Sequence, residues 1–244
     1  MDLSVVVPVH NEAGNIDPLL EEIHDALEGQ FDFQAIFVDD GSRDGTATEL
    51  AAARTRFPRL RVVTHRDACG QSAALRTGVK AASAGWIATL DGDGQNDPAD
   101  IPRLVEAVRG APGDSGLRMV AGYRRTRRDS WIKRVSSRIA NSVRSWLLGD
   151  ATPDTGCGLK VFSRAIFLDL PYFDHMHRFL PALVQRAGWR VISMEVRHRH
   201  RARGRSKYGT LDRLVAGVID LLGVIWLKWR SRVPEIVESP DALE

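Results

Sequence analysis

Over its first ninety residues the chain alternates short β-branched runs with amphipathic stretches, and this alternation admits few folds. Leu3 to Val9 is a nearly continuous apolar run. Ile16 to Leu27 then carries apolar residues at 16, 19, 20, 23 and 27, the spacing of one helix face. Phe33 to Val38 repeats the strand signal, Asp39 to Gly45 has turn chemistry, and Thr46 to Arg56 is Ala-rich and helical. Leu60 to Thr64, Ser72 to Ala84 and Trp86 to Leu90 continue as strand, helix and strand. A β-α-β-α-β-α-β series predicts an α/β fold, a Rossmann-like, mostly parallel sheet with helices on both faces. Ligands of such sheets bind beyond the carboxyl ends of the strands. The acidic turns Asp39-Asp40 and Asp91-Gly92-Asp93 fall at those ends.

With 244 residues, 43% of them hydrophobic, the chain can bury a full core. Cys69 and Cys157 are too few for a disulfide framework and show no zinc-type spacing, so a reducing cytosol is expected. Met1 to Val9 has no basic leader, and neither a signal nor a transit peptide is expected. The longest apolar stretch, Leu214 to Leu227, is interrupted by Asp220 and falls short of the roughly 20 residues of a spanning helix. Net charge is only +3, but it is segregated. Residues 118–144 hold nine Lys and Arg against Asp129, and residues 186–213 hold nine against Glu195 and Asp212. The remainder of the chain is acidic, and such segregation suggests an anionic partner.

Asp91-Gly92-Asp93-Gly94-Gln95 places two carboxylates two residues apart after a buried strand. Hard oxygen donors so placed can hold Mg²⁺ or Mn²⁺ and leave positions for diphosphate oxygens. An EF-hand is excluded, because Asn96 stands where that loop needs Gly and Pro102 where it needs Glu. A plain structural turn fits the same residues. In the second loop, Asp44 or Thr46 supplies a helix cap, which leaves the pair Asp39 and Asp40 unexplained. Those two, and Glu12 beyond the first strand, are placed to accept hydrogen bonds from a nucleoside base or ribose.

Three segments, Val5-Val6-Val7-Pro8-Val9-His10-Asn11-Glu12, Val38-Asp39-Asp40-Gly41-Ser42-Arg43-Asp44-Gly45-Thr46 and Asp91-Gly92-Asp93-Gly94-Gln95-Asn96-Asp97-Pro98, together resemble the successive signatures of family 2 glycosyltransferases of the GT-A fold. Within that family, Gln95, Pro98 and the later Thr155-Gly156-Cys157-Gly158-Leu159-Lys160 resemble the dolichyl-phosphate mannose synthase branch and its bacterial polyprenyl-phosphate relatives. The likeness extends from about residue 3 to 212. It implies that Pro8, Glu12 and Asp40, with Asp39, line the nucleoside pocket of a UDP- or GDP-sugar donor. It further implies that Asp91, Asp93 and Gln95 hold the metal and the donor diphosphate. The Gln-x-x-Arg-Trp box of processive members is missing. In the same branch an arginine after the fifth strand and an Arg-x-x-x-Ser pair resemble the acceptor-phosphate site, and Arg124, Arg138 and Ser142 match here. Residues four apart share a helix face, so Arg138 and Ser142 can grip one phosphate.

Trp131 to Leu147 reads as a helix with an apolar stripe and interspersed cations, fitting either packing on the sheet or an anionic membrane surface. From Arg197 to Arg205 an arginine stands at every second position, which in an extended chain aligns five guanidinium groups as a rail for phosphates. A nucleic-acid arm is disfavoured, since Tyr208 is the lone aromatic beside it. Arg201-x-x-Gly204-x-Ser206-Lys207 resembles the branch's flexible loop, so Arg201 and Lys207 are expected to clamp the leaving diphosphate.

Three regions are expected: a catalytic domain at 1–210, a C-terminal helix at 211–232 that lies on the membrane or packs on protein or a homo-oligomer partner, and a loose tail at 233–244. The implied reaction is inverting sugar transfer to a polyprenyl monophosphate, peripherally attached at the cytoplasmic membrane face. Two rivals stand beside it. One is a family 2 transferase acting on a sugar hydroxyl with Asp154 as base, and the other is a basic membrane- or nucleic-acid-binding module without catalysis.

Overall fold

The computed structural model describes residues 1–124, 144–145, 147–150, 152–199 and 210–233. Seven strands, β1 (Leu3–Val9), β2 (Phe33–Asp40), β3 (Leu60–His65), β4 (Trp86–Thr89), β5 (Leu117–Tyr123), β6 (Lys160–Ser163) and β7 (Arg190–Glu195), form one sheet in the order β3-β2-β1-β4-β6-β5-β7. The first four are parallel as the alternation predicts. β6 runs antiparallel between β4 and β5, and β5 pairs parallel with β7, so the sheet is mixed.

Helices α1 (Ile16–Leu27), α2 (Thr46–Arg56), α3 (Gln71–Ala81), α4 (Ile101–Arg109), α5 (Arg164–Asp169), α6 (Leu180–Arg186) and α7 (Thr210–Trp229) cover both faces. Strand period two divides the core between them. Val5, Val7 and Val9 of β1 join Ile16, Leu20, Leu50 and Leu104 on one face, while Val6 joins Leu75, Phe162 and Leu183 on the other. Each fully buried aliphatic side chain is worth about 1.5–3 kcal/mol relative to exposure, and the two half-cores fix the sheet from both sides.

The expected turn at Asp39-Asp40 is strand. The β2–β3 ladder continues until Asp39 pairs with Thr64 and Asp40 with His65, so both aspartates leave the sheet from fixed register positions. The expected helix Ser72 to Ala84 runs from Gln71 to Ala81. Helix α7 joins the second half-core on one side through Leu221, Val224, Ile225 and Leu227. His175 Nδ1 lies 2.9 Å from Asp220, and Arg186 Nε donates to the Leu227 carbonyl, which tie the same side down. Among the described residues no helix is long and apolar enough to cross a membrane.

Candidate active site

Three loops meet beyond the carboxyl ends of β1, β2 and β4. The first two are laced together by side chains reaching the neighbouring backbone. Asn11 N donates to Ser42 Oγ, Glu12 N to Thr46 Oγ1, Gly14 N to Glu49, and Arg43 N to Asn11 Oδ1. Asp44, one residue before the N-cap Gly45 of α2, accepts from Thr46 N at 3.0 Å and from Thr46 Oγ1, and so supplies an oxygen to the start of the helix. Asp39 is buried and accepts from Ser42 N at 3.0 Å. Asp40 is buried too, and both its oxygens organise the turn before α3, accepting from Cys69 N, Gly70 N and His65. Glu12 Oε2 accepts from Asn15 Nδ2. Pro8 sits on β1 opposite Val38, and Gly92 lies over it so closely that a Cβ there would stand 3.1 Å from the Pro8 carbonyl oxygen.

The acidic loop after β4 is built against a second segment, residues 154–160. Thr89 Oγ1 donates to the Gly158 carbonyl at 2.6 Å, holding that segment beside the strand. Gly158 lies directly on the Asp91 carboxylate, where an added Cβ would come 2.3 Å from Oδ2. Gln71, the first residue of α3, donates to Asp91 Oδ1 at 2.8 Å, and Asp93 accepts from Gln95 N at 3.1 Å. Arg124 at the end of β5 binds Asp154 with two bonds, 2.6 Å from Nε and 3.0 Å from Nη2. Lys160 is buried and donates to the Cys157 carbonyl.

Charge in this cluster is unbalanced at the acidic loop. Burial first, and the neighbouring Asp93 second, push the Asp91 carboxyl from the ordinary 3.8 up to about 6, against the pull of Lys160 and Arg124. Two oxygen donors held this way, with a glycine cradle behind one of them, fit a hard divalent cation such as Mg²⁺ or Mn²⁺. Asp91 and Asp93 would hold it. The Gln95 amide reaches toward the Arg199 carbonyl at 3.5 Å.

The raised carboxyl gives a signed expectation for the metal-free protein. A group whose folded pKa exceeds its unfolded value contributes stability below about pH 4 that is lost as pH rises through about 6. In EDTA, wild type should therefore lose thermal stability relative to Asp91→Asn across that window. Differential scanning fluorimetry of the pair measures it, and parallel Tm curves would contradict the charge assignment.

The arginine run begins as an extended segment, but its first two guanidinium groups have partners. Arg199 N donates to the Gln95 carbonyl, and Asn96 bridges His198 in antiparallel fashion, so the run starts along the acidic loop. Arg199 pairs with Asp97 at 2.6 Å and Glu22 at 2.5 Å, and Arg197 lies 3.6 Å from Asp97. Those ion pairs tie the segment to protein acids, Arg199 closely to two of them and the more exposed Arg197 loosely to one. Arg138, Ser142, Arg201 and Lys207, most of the stretch 131–147, the rest of the arginine run and nearly all of the tail lie outside the described residues.

Asp91 is linked to Gln71 and Gly158 only by the tertiary fold: Gly158 stands in the Thr155–Lys160 motif without any sign of its contact with Asp91, and Gln71 carries no sequence signal beyond the glycine before it.

The family model described as glycosyl transferase family 2 matches residues 4–170. The chain is a family 2 glycosyltransferase. The matched span of this glycosyltransferase contains all three loops. The enzyme is 35% identical over 241 residues to dodecaprenyl-phosphate galacturonate synthase of Rhizobium johnstonii, covering 95% of this chain and 69% of the relative. It is 36% identical over 213 residues to undecaprenyl-phosphate 4-deoxy-4-formamido-L-arabinose transferase of Aeromonas hydrophila, covering 86% of this chain and 63% of that one. The chain thus spans about two thirds of the length of these curated relatives. Glucosyl-3-phosphoglycerate synthase of Mycobacterium tuberculosis, solved with Mg²⁺ and UDP, superposes with a TM-score of 0.68 at 21% identity over 96% of this chain and 80% of that one. That likeness establishes the GT-A-like fold.

Proposed function

We propose that this glycosyltransferase moves a sugar from a UDP- or GDP-sugar onto a polyprenyl monophosphate, with inversion, at the cytoplasmic face of a membrane to which it is peripherally attached. The observation that carries the reading is the likeness, across 95% of the chain, to a synthase whose name specifies a dodecaprenyl-phosphate product. A lipid monophosphate has a second pKa of about 6 and is largely dianionic near neutral pH, so it attacks the anomeric carbon without a strong protein base. A cation bound at Asp91 and Asp93, Mg²⁺ or Mn²⁺, would offset the charge of the departing nucleoside diphosphate. Pro8, Glu12, Asp39 and Asp40 would line the nucleoside pocket. Arg201 and Lys207 would close on the diphosphate, and Arg124, Arg138 and Ser142 would orient the acceptor phosphate.

Asp154 bears on the rival hydroxyl acceptor, which needs a carboxylate base. Both Asp154 oxygens are engaged, by Arg124 and by Gly156 N, an arrangement that suits an anchor for Arg124 better than a proton acceptor. The acceptor assignment is tested by Arg138→Ala. One lost charge-assisted contact of about 1.5–3 kcal/mol should raise the acceptor KM roughly tenfold or more, with donor affinity unchanged. Unaltered lipid-phosphate kinetics would remove Arg138 from the site.

Residues 1–210 would form the catalytic unit and 211–232 the membrane-facing helix. The side of α7 opposite its packed face exposes Val218, Ile219, Leu222, Trp226 and Trp229, and Arg230 and Arg232 follow at its end, while Lys228 turns back to the Leu148 carbonyl. An apolar stripe closed by tryptophan and cations suits the headgroup level of an anionic bilayer. Trp226→Ser with Trp229→Ser should abolish flotation with anionic liposomes at low salt. Undiminished flotation would exclude this face as the contact.

A further inference from the structure

Away from the acidic loop, three side chains from separate segments converge where β2 and β3 end. One ligand atom each from Asp40, His65 and Cys69, a carboxylate oxygen, an imidazole nitrogen and a thiol sulfur, all lie within 4.8 Å of one another. The sheet sets the first two side by side, because Asp40 and His65 are register partners, and His65 Nδ1 is 2.8 Å from Asp40 Oδ1. Backbone bonds deliver the third. Cys69 N and Gly70 N each donate to the Asp40 carboxylate at 2.8 Å. The turn that carries them packs against Gly41, whose φ is 66° and where an added Cβ would stand 2.7 Å from the backbone of Asp67 and Ala68. The far nitrogen of His65, Nε2, lies 2.9 Å from Thr77 Oγ1. A hydroxyl can donate or accept, so it supports either imidazole tautomer, and metal-ligating histidines typically have such an outer partner.

We infer that Asp40, His65 and Cys69 form a site for a thiophilic divalent cation, best represented by Zn²⁺, separate from the hard-oxygen pair Asp91 and Asp93. One thiolate, one imidazole and one carboxylate are a zinc-type donor set, and three protein ligands leave a fourth position for water. No sequence spacing announces it, because the ligands belong to two strands and a turn. Zinc bonds of about 2.0–2.3 Å draw ligand atoms to about 3.3–3.8 Å from one another, and the exposed Cys69 side chain closes that gap by rotating about χ1. Cys69 exposure also gives the ion its entry. On binding, the Cys69 thiol proton passes to solvent and the sulfur donates its pair to the metal. The imidazole proton is exchanged through solvent from Nδ1 to Nε2, where Thr77 accepts it. The net exchange is one cation for one proton. A consequence that rests on the proposed function is that an ion on Asp40 excludes the nucleoside, so Zn²⁺ would compete with the donor.

Co²⁺ titration of the full chain tests the site directly, with Mg²⁺ at saturation to occupy the acidic loop. A near-ultraviolet thiolate-to-cobalt charge-transfer band should rise to one equivalent and be displaced by Zn²⁺. It should vanish in Cys69→Ser, which keeps the backbone N–H to Asp40, weaken at least tenfold in His65→Gln, and persist in Asp91→Asn. Thermal melts of each variant check folding. Absence of the band in wild type, or its survival in Cys69→Ser, would overturn the site. UDP and GDP titrations with and without Zn²⁺ address the consequence separately. Competition abolished by Cys69→Ser supports both readings, whereas a cobalt band without competition keeps the metal site and removes Asp40 from the nucleoside pocket.

Discussion

Replacing Gly158 by Ala should lower kcat by about two orders of magnitude, the size of effect expected when a reacting group is misplaced by about 1 Å. An added Cβ would stand between 2.3 and 2.6 Å from three atoms of the Asp91 carboxyl group. Non-bonded carbon and oxygen atoms cannot share that distance, so one side must move. The glycine is the less mobile partner, since its carbonyl is held by Thr89 Oγ1 and its neighbours Cys157 and Leu159 are buried. Asp91 meets it with a side chain that can turn about χ1, and so Asp91 will yield. The metal pair would then lose its geometry while both aspartates remain present. Asp91→Asn should cost a comparable two to three orders of magnitude without lowering thermal stability, which separates loss of the ligand from general damage. A Gly158→Ala enzyme with normal kcat would show that the Asp91 position is not critical to turnover.

The second large effect concerns stability. Asp154→Ala should destabilise the fold by about 3–5 kcal/mol, because it leaves the Arg124 guanidinium largely buried with its bidentate partner removed. Side-chain exposures of 13% for Arg124 and 8% for Asp154 put the pair well inside the protein. Burial works to lower the Arg124 pKa, and the bonds and charge of Asp154 outweigh it and raise the pKa above the ordinary value. With about 2–4 °C of Tm per kcal/mol for a chain of this size, a loss of roughly 6–20 °C is expected. Replacing both residues, Asp154→Ala with Arg124→Met, should recover most of it, since no charge is then stranded. Chemical denaturation of the four proteins gives the coupling, and additive losses would mean that the pair does not act as a unit.

How far the sequence discloses this molecule depends on whether a feature is local. The helix over 46–56 follows from its Ala-rich composition and the four parallel strands from apolar runs and length, and the structure reproduces them with shifts of one or two residues at some ends. Asp39 and Asp40 read as turn because aspartate is uncommon in strands, yet the ladder to Thr64 and His65 carries the sheet through them. The four-residue β6 is too short to declare a direction, and its antiparallel insertion between β4 and β5 is decided by pairing partners far away in sequence. For Arg197 and Arg199 the extended conformation was legible and the partner was not. Alternation identifies a charged edge, but only the fold brings Asp97 and Glu22 against it. Asp91 and Asp93 were visible as a pair, whereas Gln71, Gly158 and the Arg124–Asp154 bond that surround them are tertiary contacts.

Whether a phosphorylated lipid or a sugar hydroxyl receives the sugar is decided by one transfer assay in which undecaprenyl phosphate and undecaprenol are offered in parallel with a panel of labelled UDP- and GDP-sugars, Mg²⁺ being supplied throughout. The predicted result is a labelled lipid formed from the phosphate alone, acid-labile as a glycosyl phosphodiester, and lost when EDTA replaces Mg²⁺. Equal labelling of undecaprenol, or transfer only to a glycan hydroxyl added as a third acceptor, would contradict it.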